Sequence, residues 1–347
     1  MSAPVALGLF SGGLDSILAC RVVADQGVRV VALKFVTPFF DSDLLADPAD
    51  YVRAMERRYG LEVAVIDVSD GYLRMLGNPA HGFGKHFNPC IDCKILMLTR
   101  ARQLMAAYNA SFLVTGEVLG QRPMSQRRDT LRVIERDSGC TGLLLRPLCA
   151  RLLPPTRAEE EGLVDRDRLH AISGRSRRQQ RLLAAGLGIT DYPTPAGGCM
   201  LTDVNLATRI RLFHDGLFAF DQGVPSADDF RLLVVGRQFK LGQDVWFITG
   251  RNERENQQLT ALRGPGDWLL WMRERPGPLG LLRHGSRLPA GADKEALLRN
   301  LAGIVVRHGK QVAGAPLTAE VMIDDGDTVT TALFGPVAAE VCQQWRM

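Results

Sequence analysis

Two short groups of residues have types and spacings that could do chemistry. The first is the hexapeptide SGGLDS from Ser11 to Ser16, which contains paired glycines, two hydroxyls and a carboxylate. Paired glycines let a backbone approach an anion closely, and hydroxyls and the N-terminal end of a following helix favour negative charge. The hexapeptide therefore predicts a phosphate-binding loop.

The second group consists of three cysteines. Cys90 and Cys93 lie in NPCIDCK at the start of a predicted helix, and Cys199 follows two glycines in PAGGC. A spacing of three residues puts the first two thiols on one face of the first helical turn. The helix N-terminus and Lys94 are expected to lower the pKa of these two thiols, which favours thiolates that bind metals or attack sulfur donors.

Three kinds of site can be built from these thiols. A [4Fe-4S] cluster on three thiolates leaves one iron free to hold sulfide. A structural zinc ion with His81 or His86 as the fourth ligand uses the same cysteines, and so does a redox dithiol that carries a persulfide. The remaining four cysteines lack partners at ligand spacing and are expected to be structural: Cys20, Cys140, Cys149 and Cys342.

The elements that must position these groups alternate between strand and helix along the first third of the chain. This alternation predicts an open, parallel α/β sheet, which binds ligands at the carboxyl ends of its strands. The predicted strands are Val5–Phe10, Val28–Phe35, Glu62–Val68 and Ser111–Thr115, and the predicted helices are Asp15–Gln26, Ala49–Tyr59 and Asp92–Tyr108.

The pattern changes beyond Asp203, where short apolar runs are separated by glycine and proline turns. We therefore predict a first domain over residues 1–203 and a second, smaller α+β domain over residues 204–347. The predicted elements of the second domain are strands at Asp229–Val235, Asp244–Thr249 and Ala319–Ile323 and a helix at Asp293–Arg307.

Composition excludes several classes of protein. The chain has 347 residues, of which 46% are hydrophobic, so it can form two cores. No apolar run approaches the ~20 residues of a membrane helix and no basic leader is present, so we expect a cytoplasmic protein without a membrane partner. Seven cysteines are too few for a disulfide scaffold, and a net charge of +4 permits a nucleic-acid partner.

The hexapeptide resembles the SGGxDS signature of the PP-loop ATP pyrophosphatases, and it lacks the ending of a Walker loop and the spacing of a dinucleotide fingerprint. The resemblance implies a Rossmann-like (PP-loop/HUP) sheet on which ATP and Mg²⁺ bind while a substrate is adenylated. It also implies that Asp15 is catalytic and that Phe35 lies beside the adenine. The implied ATP-binding residues of the loop are Ser11, Gly12, Gly13, Leu14, Asp15 and Ser16.

The three cysteines and a later segment indicate a narrower group within the PP-loop class. The loop with Cys90, Cys93 and Cys199 resembles tRNA thiolation enzymes of the PP-loop class, some of which hold a [4Fe-4S] cluster while others use two cysteines without one. The segment TGEVLGQ, which ends at Gln121, looks like that of 4-thiouridine synthetases. The resemblance implies that Gly116 and Gln121 face the nucleotide, that the three cysteines are catalytic, and that sulfide or a persulfide donor is a partner.

Further signals concern RNA. Arginines crowd the segments around residues 122–132 and 175–181, and guanidinium groups suit phosphate backbones. The segments at 249–256, 267–269 and 275–278 resemble the RNA-binding NFACT-R module, although this chain has Leu269-Leu270-Trp271 where that module carries a histidine after its tryptophan. Trp268 and Trp271 are equally compatible with a core role. The predicted tRNA-binding residues are Arg122, Arg127, Arg128, Arg175, Arg177 and Arg178.

Together these resemblances favour an ATP-dependent tRNA sulfurtransferase that forms 4-thiouridine at position eight. Ten residues precede Ser11, where 4-thiouridine synthetases carry an RNA-binding THUMP domain, so the second domain is expected to take that role. The alternatives are formation of 2-thiouridine at another tRNA position, a PP-loop synthetase that adenylates a small molecule, and an RNA-binding scaffold without activity. A homodimer is compatible with the sequence.

Overall fold

The computed structural model describes residues 3–194, 199–218, 225–242, 244–288, 291–310 and 317–347. The chain divides into two compact units, Met1–Ala207 and Thr208–Met347. The division falls inside one helix, Val204–His214, four residues beyond the boundary expected from the sequence.

The first unit contains a five-stranded sheet in which every paired strand is parallel. The strand order is β3-β2-β1-β4-β5, which confirms the predicted open α/β sheet. The order reverses between β1 and β4, and ligands of such sheets bind beyond the carboxyl ends of the strands at this point. The strands are β1 (Val5–Leu9), β2 (Arg29–Val36), β3 (Glu62–Asp67), β4 (Phe112–Thr115) and β5 (Leu144–Leu145).

Helices cover both faces of this sheet. Ile17 and Leu18 of the first helix pack with Phe112 on one face, whereas Leu7 and Leu98 pack on the other, and all five side chains are buried. Two covered faces explain why the strands read as continuous apolar runs. The helices are α1 (Leu14–Ala24), α2 (Pro48–Tyr59), α3 (Ser69–Gly77), α4 (Cys90–Tyr108), α5 (Arg128–Asp137), α6 (Arg157–Glu160), α7 (Arg178–Gly186) and α8 (Val204–His214), with short 3₁₀ turns at Ser42–Leu45, Ala150–Leu152, Arg166–Arg168 and Met200–Thr202.

The second unit contains a six-stranded antiparallel sheet with the order β11-β10-β8-β9-β7-β6. Its largest helix packs Leu301 and Val305 against Leu270 and Val321 on one face of the sheet. This arrangement confirms a second α+β domain. Its elements are α9 (Ala227–Leu233), β6 (Arg237–Leu241), β7 (Val245–Thr249), α10 (Glu253–Ala261), β8 (Trp268–Met272), β9 (Gly280–Arg283), a 3₁₀ turn (Gly285–Arg287), α11 (Ala292–Arg307), β10 (Ala319–Asp324), β11 (Val329–Phe334) and α12 (Ala339–Gln344).

One predicted element is wrong. The segment Asp229–Val235 is not a strand, because residues Ala227–Leu233 form helix α9. The Ser226 hydroxyl accepts a hydrogen bond from the Asp229 N–H, and the Asp229 carboxylate accepts one from the Ser226 N–H at 2.7 Å. This reciprocal capping box starts a helix despite the apolar run that follows.

The described part of the chain contains no helix that is both long and apolar enough to cross a lipid bilayer. The cysteines expected to be structural are all buried thiols: Cys20, Cys140, Cys149 and Cys342.

The central strand of the first sheet allows a stability test. A Cβ atom at Gly8 would lie 2.6 Å from the Cys20 Sγ, so Gly8→Ala overpacks the core beneath the phosphate loop and should cost about 1–3 kcal/mol. Adding Cys20→Ala removes the colliding atom, so the double variant should lose less stability than the sum of the two single changes.

Urea unfolding followed by circular dichroism measures this effect. Tryptophan fluorescence would not, because all four tryptophans lie in the second unit. Gly77→Ala is the matched control, since its Cβ would meet no atom within 4 Å. Simple additivity of Gly8→Ala and Cys20→Ala would contradict the packing argument.

Candidate functional site

The phosphate loop connects β1 to α1. Gly12 has a φ of 81°, a conformation that glycine adopts without strain, and Gly13 caps the helix. The Ser16 hydroxyl donates to the Gly13 carbonyl at 2.8 Å and lies 3.2 Å from the Ser11 hydroxyl. Leu14 is buried in the core, so it offers only its backbone to a ligand. First-turn N–H groups have no acceptor within their own helix, and such a helix start binds anions.

A buried cation lies beside this loop. Lys34 is only 3% exposed, and its Nζ donates to the Ser11 carbonyl at 3.0 Å and pairs with Asp41 at 2.6 Å. It also lies 5.7 Å from the centre of the Tyr51 ring. Our sequence analysis missed Lys34, although a lone lysine in the apolar strand RVVALKFV is a signal that could have found it.

A chain of hydrogen bonds fixes the carboxylate of the loop. The Gln121 amide donates to Asp15 Oδ2 at 2.7 Å, and the buried Gln180 donates to Gln121 at 3.0 Å. Arg177 approaches the same Oδ2 atom at 3.4 Å. Asp15 Oδ1 is buried and has no hydrogen-bond partner among the described residues. One oxygen of this carboxylate is thus held in place while the other is left for a ligand.

Gly116 is where the end of β4 meets the start of α1. A Cβ atom at this position would lie 2.4 Å from the Asp15 carbonyl oxygen and 2.6 Å from the Ser16 nitrogen. No side chain fits into that gap. The residue therefore contacts the phosphate loop directly, and its contact with a nucleotide stays a prediction.

Glu117, the residue after Gly116, holds this segment in the core through an ion pair. Glu117 and Arg146 are both buried, and the Arg146 Nε donates to Glu117 at 3.1 Å while Arg146 also pairs with Glu135. Burial lowers the pKa of Arg146, but the charges of Glu117 and Glu135 outweigh it and raise that pKa above its ordinary value. The guanidinium therefore stays charged and holds two carboxylates beneath the loop.

Helix α4 begins at Cys90 and presents the first two thiols. The Cys93 N–H donates to the Pro89 carbonyl at 2.8 Å, and the Asn88 amide donates to the Cys90 Sγ at 3.2 Å. Cys199 is exposed and precedes the 3₁₀ turn Met200–Thr202. The glycine pair expected to let Cys199 approach a cluster, at residues 197–198, lies outside the described residues.

The three thiols converge near Tyr72. This tyrosine is fully buried, and its pKa is raised well above the usual value by burial and then by the nearby charges of Cys93, Cys199 and Cys90. Its hydroxyl also hydrogen-bonds Cys93. Cys199 thus lies near enough to affect the pKa of the same tyrosine as the two cysteines of α4, more than a hundred residues earlier in the sequence.

The expected lowering of the thiol pKa is wrong for Cys93. Burial raises its pKa to about 12, and the charges of Cys199 and Cys90 add to the rise. Lys94 acts in the opposite direction, but desolvation of the thiolate outweighs it. The local sequence shows the lysine and the helix start, whereas it does not show the burial.

The side chains near the cysteines do not form a complete set of metal ligands. Within the described ranges, no three His, Cys, Asp or Glu side chains are grouped so that they could hold a metal ion. Both ring nitrogens of His81 face carboxylates, Nδ1 at 3.1 Å from Asp92 and Nε2 at 3.2 Å from Asp137. The proposed zinc ligand His81 is therefore already engaged, and the His86 N–H donates to Asn88.

Phe35 lies within the sheet core. It is 5% exposed and packs in the same apolar layer as Leu33 and Leu98. Its position near the carboxyl end of β2 leaves contact with an adenine as a prediction.

The two arginine-rich segments are neighbours in space. Leu119 forms a parallel bridge with Ser173, and the Gly174 N–H donates to the Leu119 carbonyl at 2.8 Å. The arginines themselves fall into two groups. Some side chains are engaged, since Arg127 pairs with Asp129, Arg128 donates to the Leu152 carbonyl, and Arg177 turns toward Asp15. Within the described residues, the guanidinium groups of Arg122, Arg175 and Arg178 make no hydrogen bond or ion pair.

Two family models match parts of the chain. Residues 2–151 match the family described as thiamine biosynthesis protein (ThiI), and residues 236–346 match the family described as NFACT protein RNA binding domain. The first match lies within the first unit, and the second match lies within the second unit. The phosphate loop, Cys90, Cys93 and Gly116 all fall within the ThiI match, whereas Cys199 lies beyond it.

Solved structures resemble parts of the chain at low identity and low TM-score. A 4-thiouridine synthetase in complex with RNA and bound ATP is 19% identical over 54% of this chain and 52% of that chain, with a TM-score of 0.34. The U34-tRNA thiolase NcsA from Methanococcus maripaludis with its [4Fe-4S] cluster is 18% identical over 62% and 68%, with a TM-score of 0.31. The C-terminal part of the fibronectin/fibrinogen-binding protein from Streptococcus suis is 14% identical over 33% and 49%, with a TM-score of 0.26.

The chain spans about half the length of the first of these relatives, 49% of the Streptococcus suis chain and 52% of the 4-thiouridine synthetase chain. At these TM-scores the likenesses carry no assignment of a residue. No curated protein sequence matches the chain.

Gly116 provides a direct test of the loop. Gly116→Ala pushes a methyl group against the Asp15 carbonyl and the Ser16 nitrogen, so we expect ATP to bind about tenfold more weakly, a loss of about 1.4 kcal/mol. Isothermal titration calorimetry with ATP and Mg²⁺ measures the affinity. Gly186→Ala, where a Cβ meets no atom within 4 Å, is the control and should bind normally. Unchanged affinity in folded Gly116→Ala protein would refute the close approach.

Proposed function

We propose that this protein is an ATP-dependent tRNA sulfurtransferase that adenylates a uridine carbonyl and replaces its oxygen with sulfur. The observation that carries the proposal is the segment after β4, which contacts both halves of the site. Gln121 binds Asp15 of the phosphate loop, and three residues later Met124 accepts a hydrogen bond from Asn88, which also binds the Cys90 sulfur. The proposed nucleotide site and the proposed sulfur site would thus lie at opposite ends of one short loop.

The loop residues would perform the adenylation. The N–H groups at the start of α1 and the hydroxyls of Ser11 and Ser16 would bind the diphosphate end of ATP, with the Lys34 ammonium beside them. The uridine carbonyl oxygen attacks the α-phosphorus, a new P–O bond forms, and pyrophosphate leaves. This converts a very poor leaving group, a carbonyl oxygen, into AMP.

Asp15 is suited to hold Mg²⁺ at this site. Its Oδ1 atom is buried and unpartnered among the described residues, and carboxylate oxygens are ligands that Mg²⁺ prefers. The ion would supply positive charge that neutralises the departing diphosphate. Gln121 and Arg177 would keep the carboxylate oriented throughout.

The three thiols would deliver the sulfur. Sulfide attacks the activated carbon, a C–S bond forms, and the C–O bond to AMP breaks. With a persulfide donor, the terminal sulfur forms the C–S bond as AMP leaves, and a second cysteine thiolate then attacks the inner sulfur, breaks the S–S bond and leaves a disulfide that a thiol reductant reopens. Cys90, Cys93 and Cys199 would hold a [4Fe-4S] cluster as thiolates if their side chains closed around it, and the cluster would supply an iron that can carry sulfide. Tyr72 would donate a hydrogen bond to the Cys93 sulfur and hold it in position.

The substrate class follows from the charge and the second domain. Arg175 and Arg178 are exposed near the phosphate loop, and an RNA-binding domain of the NFACT type occupies the second unit. We assign 4-thiouridine at position eight as the product and 2-thiouridine as the second candidate. Because the reaction consumes ATP and tRNA, we place the enzyme in the cytoplasm.

Cys199→Ala separates the two half-reactions. The variant should lose thiouridine formation but release pyrophosphate as the native protein does, because Cys199 is not part of the phosphate loop. The assay supplies ATP, Mg²⁺, sulfide and total tRNA without oxygen, and nucleoside mass spectrometry identifies the product. Cys342→Ala, which changes a buried thiol of the second unit, is the control. Normal thiolation by Cys199→Ala would refute its role, and an absence of pyrophosphate release by the native protein would refute the proposed function.

The exposed arginines give a test of RNA binding. Replacing Arg175 and Arg178 by Gln should weaken tRNA binding and reduce the slope of log K against log salt concentration by roughly one for each lost phosphate contact. Filter binding at several salt concentrations measures both quantities. Arg29→Gln removes one positive charge at the opposite end of the sheet, at the start of β2, and should leave the slope unchanged. Equal slopes in all variants would exclude the arginines from the interface.

A further inference from the structure

A groove in the second unit lies outside the site described above. It has a volume of about 320 Å³ and lies between helix α10 and strand β8. Its lining includes Glu253 and Gln257 of α10, Trp271 of β8, and Arg275 and Leu279 from the turn that follows. The groove thus combines one aromatic ring with charged and amide side chains.

Strand alternation explains why Trp271 reaches this groove. Leu270 points to the face that α11 covers and is fully buried, so its neighbour Trp271 points to the opposite face. There Trp271 pairs with Met322, which pairs with Thr331, in a row across three strands. Trp271 is partly exposed, whereas Trp268 is 5% exposed and belongs to the core. The sequence alone does not show which of the two tryptophans is buried, whereas the alternation of side chains along β8 does.

Polar groups surround the indole on the groove wall. Arg275 is fixed at the rim because its Nη2 donates to the carbonyls of Leu317 and Thr318 at 3.4 Å and 3.2 Å. On the helix side, the Gln257 amide lies 3.4 Å from the Glu253 carboxylate. These side chains offer a positive charge on one side and a donor and acceptor pair on the other.

We propose that this groove binds an unpaired nucleobase of RNA, stacked on Trp271. A flat aromatic face accepts any base, a guanidinium beside it suits the adjoining phosphate, and an amide can hydrogen-bond the base edge. Arg275 takes the phosphate and Gln257 the base edge. The inference deepens the RNA-binding role proposed for the second unit and rests on it.

The observations favour a base over a peptide as the ligand. The groove lies within residues 236–346, the segment that matches an RNA-binding domain. Its single aromatic ring stands beside a cation and an amide, which together match one nucleotide. A peptide that docks on an aromatic residue would be an alternative ligand, and binding measurements separate the two.

The test uses the full-length protein without ATP or sulfide and a fluorescent single-stranded RNA heptamer. Trp271→Ala should weaken binding about tenfold, since stacking on an aromatic side chain contributes about 1–3 kcal/mol per base. Trp271→Phe should retain binding within about twofold, because phenylalanine still stacks. The salt slope should stay unchanged in both variants but fall by about one in Arg275→Gln. Leu333→Ala, on the same sheet face but 66% exposed on β11, is the matched control.

A second measurement locates the base. A heptamer that contains 5-bromouracil should cross-link under ultraviolet light to Trp271, and peptide mass spectrometry identifies the adduct. Native affinity in Trp271→Ala, equal losses in the Phe and Ala variants, or tight binding of a proline-rich peptide in place of RNA would each overturn the proposal.

The two proposals can fail separately. Normal RNA binding by Trp271→Ala together with intact thiolation refutes only the groove. Binding that depends on Trp271 in a native protein that releases no pyrophosphate refutes only the enzyme.

Discussion

The hydrogen bond from Gln121 to the Asp15 carboxylate, 2.7 Å long, is the contact on which the rest of the site depends. It attaches the segment after β4 to the start of α1, and the close approach at Gly116 lets the two backbones meet. Gln180, which follows the second group of arginines, donates a hydrogen bond to Gln121. Met124 accepts a hydrogen bond from Asn88, which lies beside Cys90. Three segments that are distant in sequence therefore take their positions from one carboxylate.

The sequence alone predicted the features that depend on interactions between residues close together in the chain. The phosphate loop, the first helix and the parallel strands follow from glycine placement and apolar periodicity, so the sequence alone identified the α/β sheet. Helix α9 was misread because the apolar residues after Asp229 suggested a strand, whereas the Ser226 capping box determined the outcome. The wrong prediction gave the apolar pattern more weight than the helix-capping residues Ser226 and Asp229, which are also present in the sequence.

Other features depend on contacts between distant residues, and for this reason no pattern reveals them. Lys34 and Gln180 look ordinary in sequence and acquire roles only when the strand and helix pack beside the loop. The cysteines show the same limit. The low thiol pKa expected for Cys93 is wrong, because the raised pKa comes from burial that no local motif reports. Trp268 and Trp271 likewise separate into core and surface only through strand alternation.

The ion cluster in which Arg146 pairs with the buried Glu117 and the partly buried Glu135 has an evolutionary consequence. Removing Arg146 leaves the Glu117 carboxylate as an uncompensated charge inside the protein and typically costs about 3–5 kcal/mol, whereas exchanging the whole set for apolar residues can be neutral. Neutral drift at Arg146 is therefore blocked while Glu117 is present. Divergence at Arg146 requires replacement of its buried partner as well, so these two positions should covary among descendants of this chain.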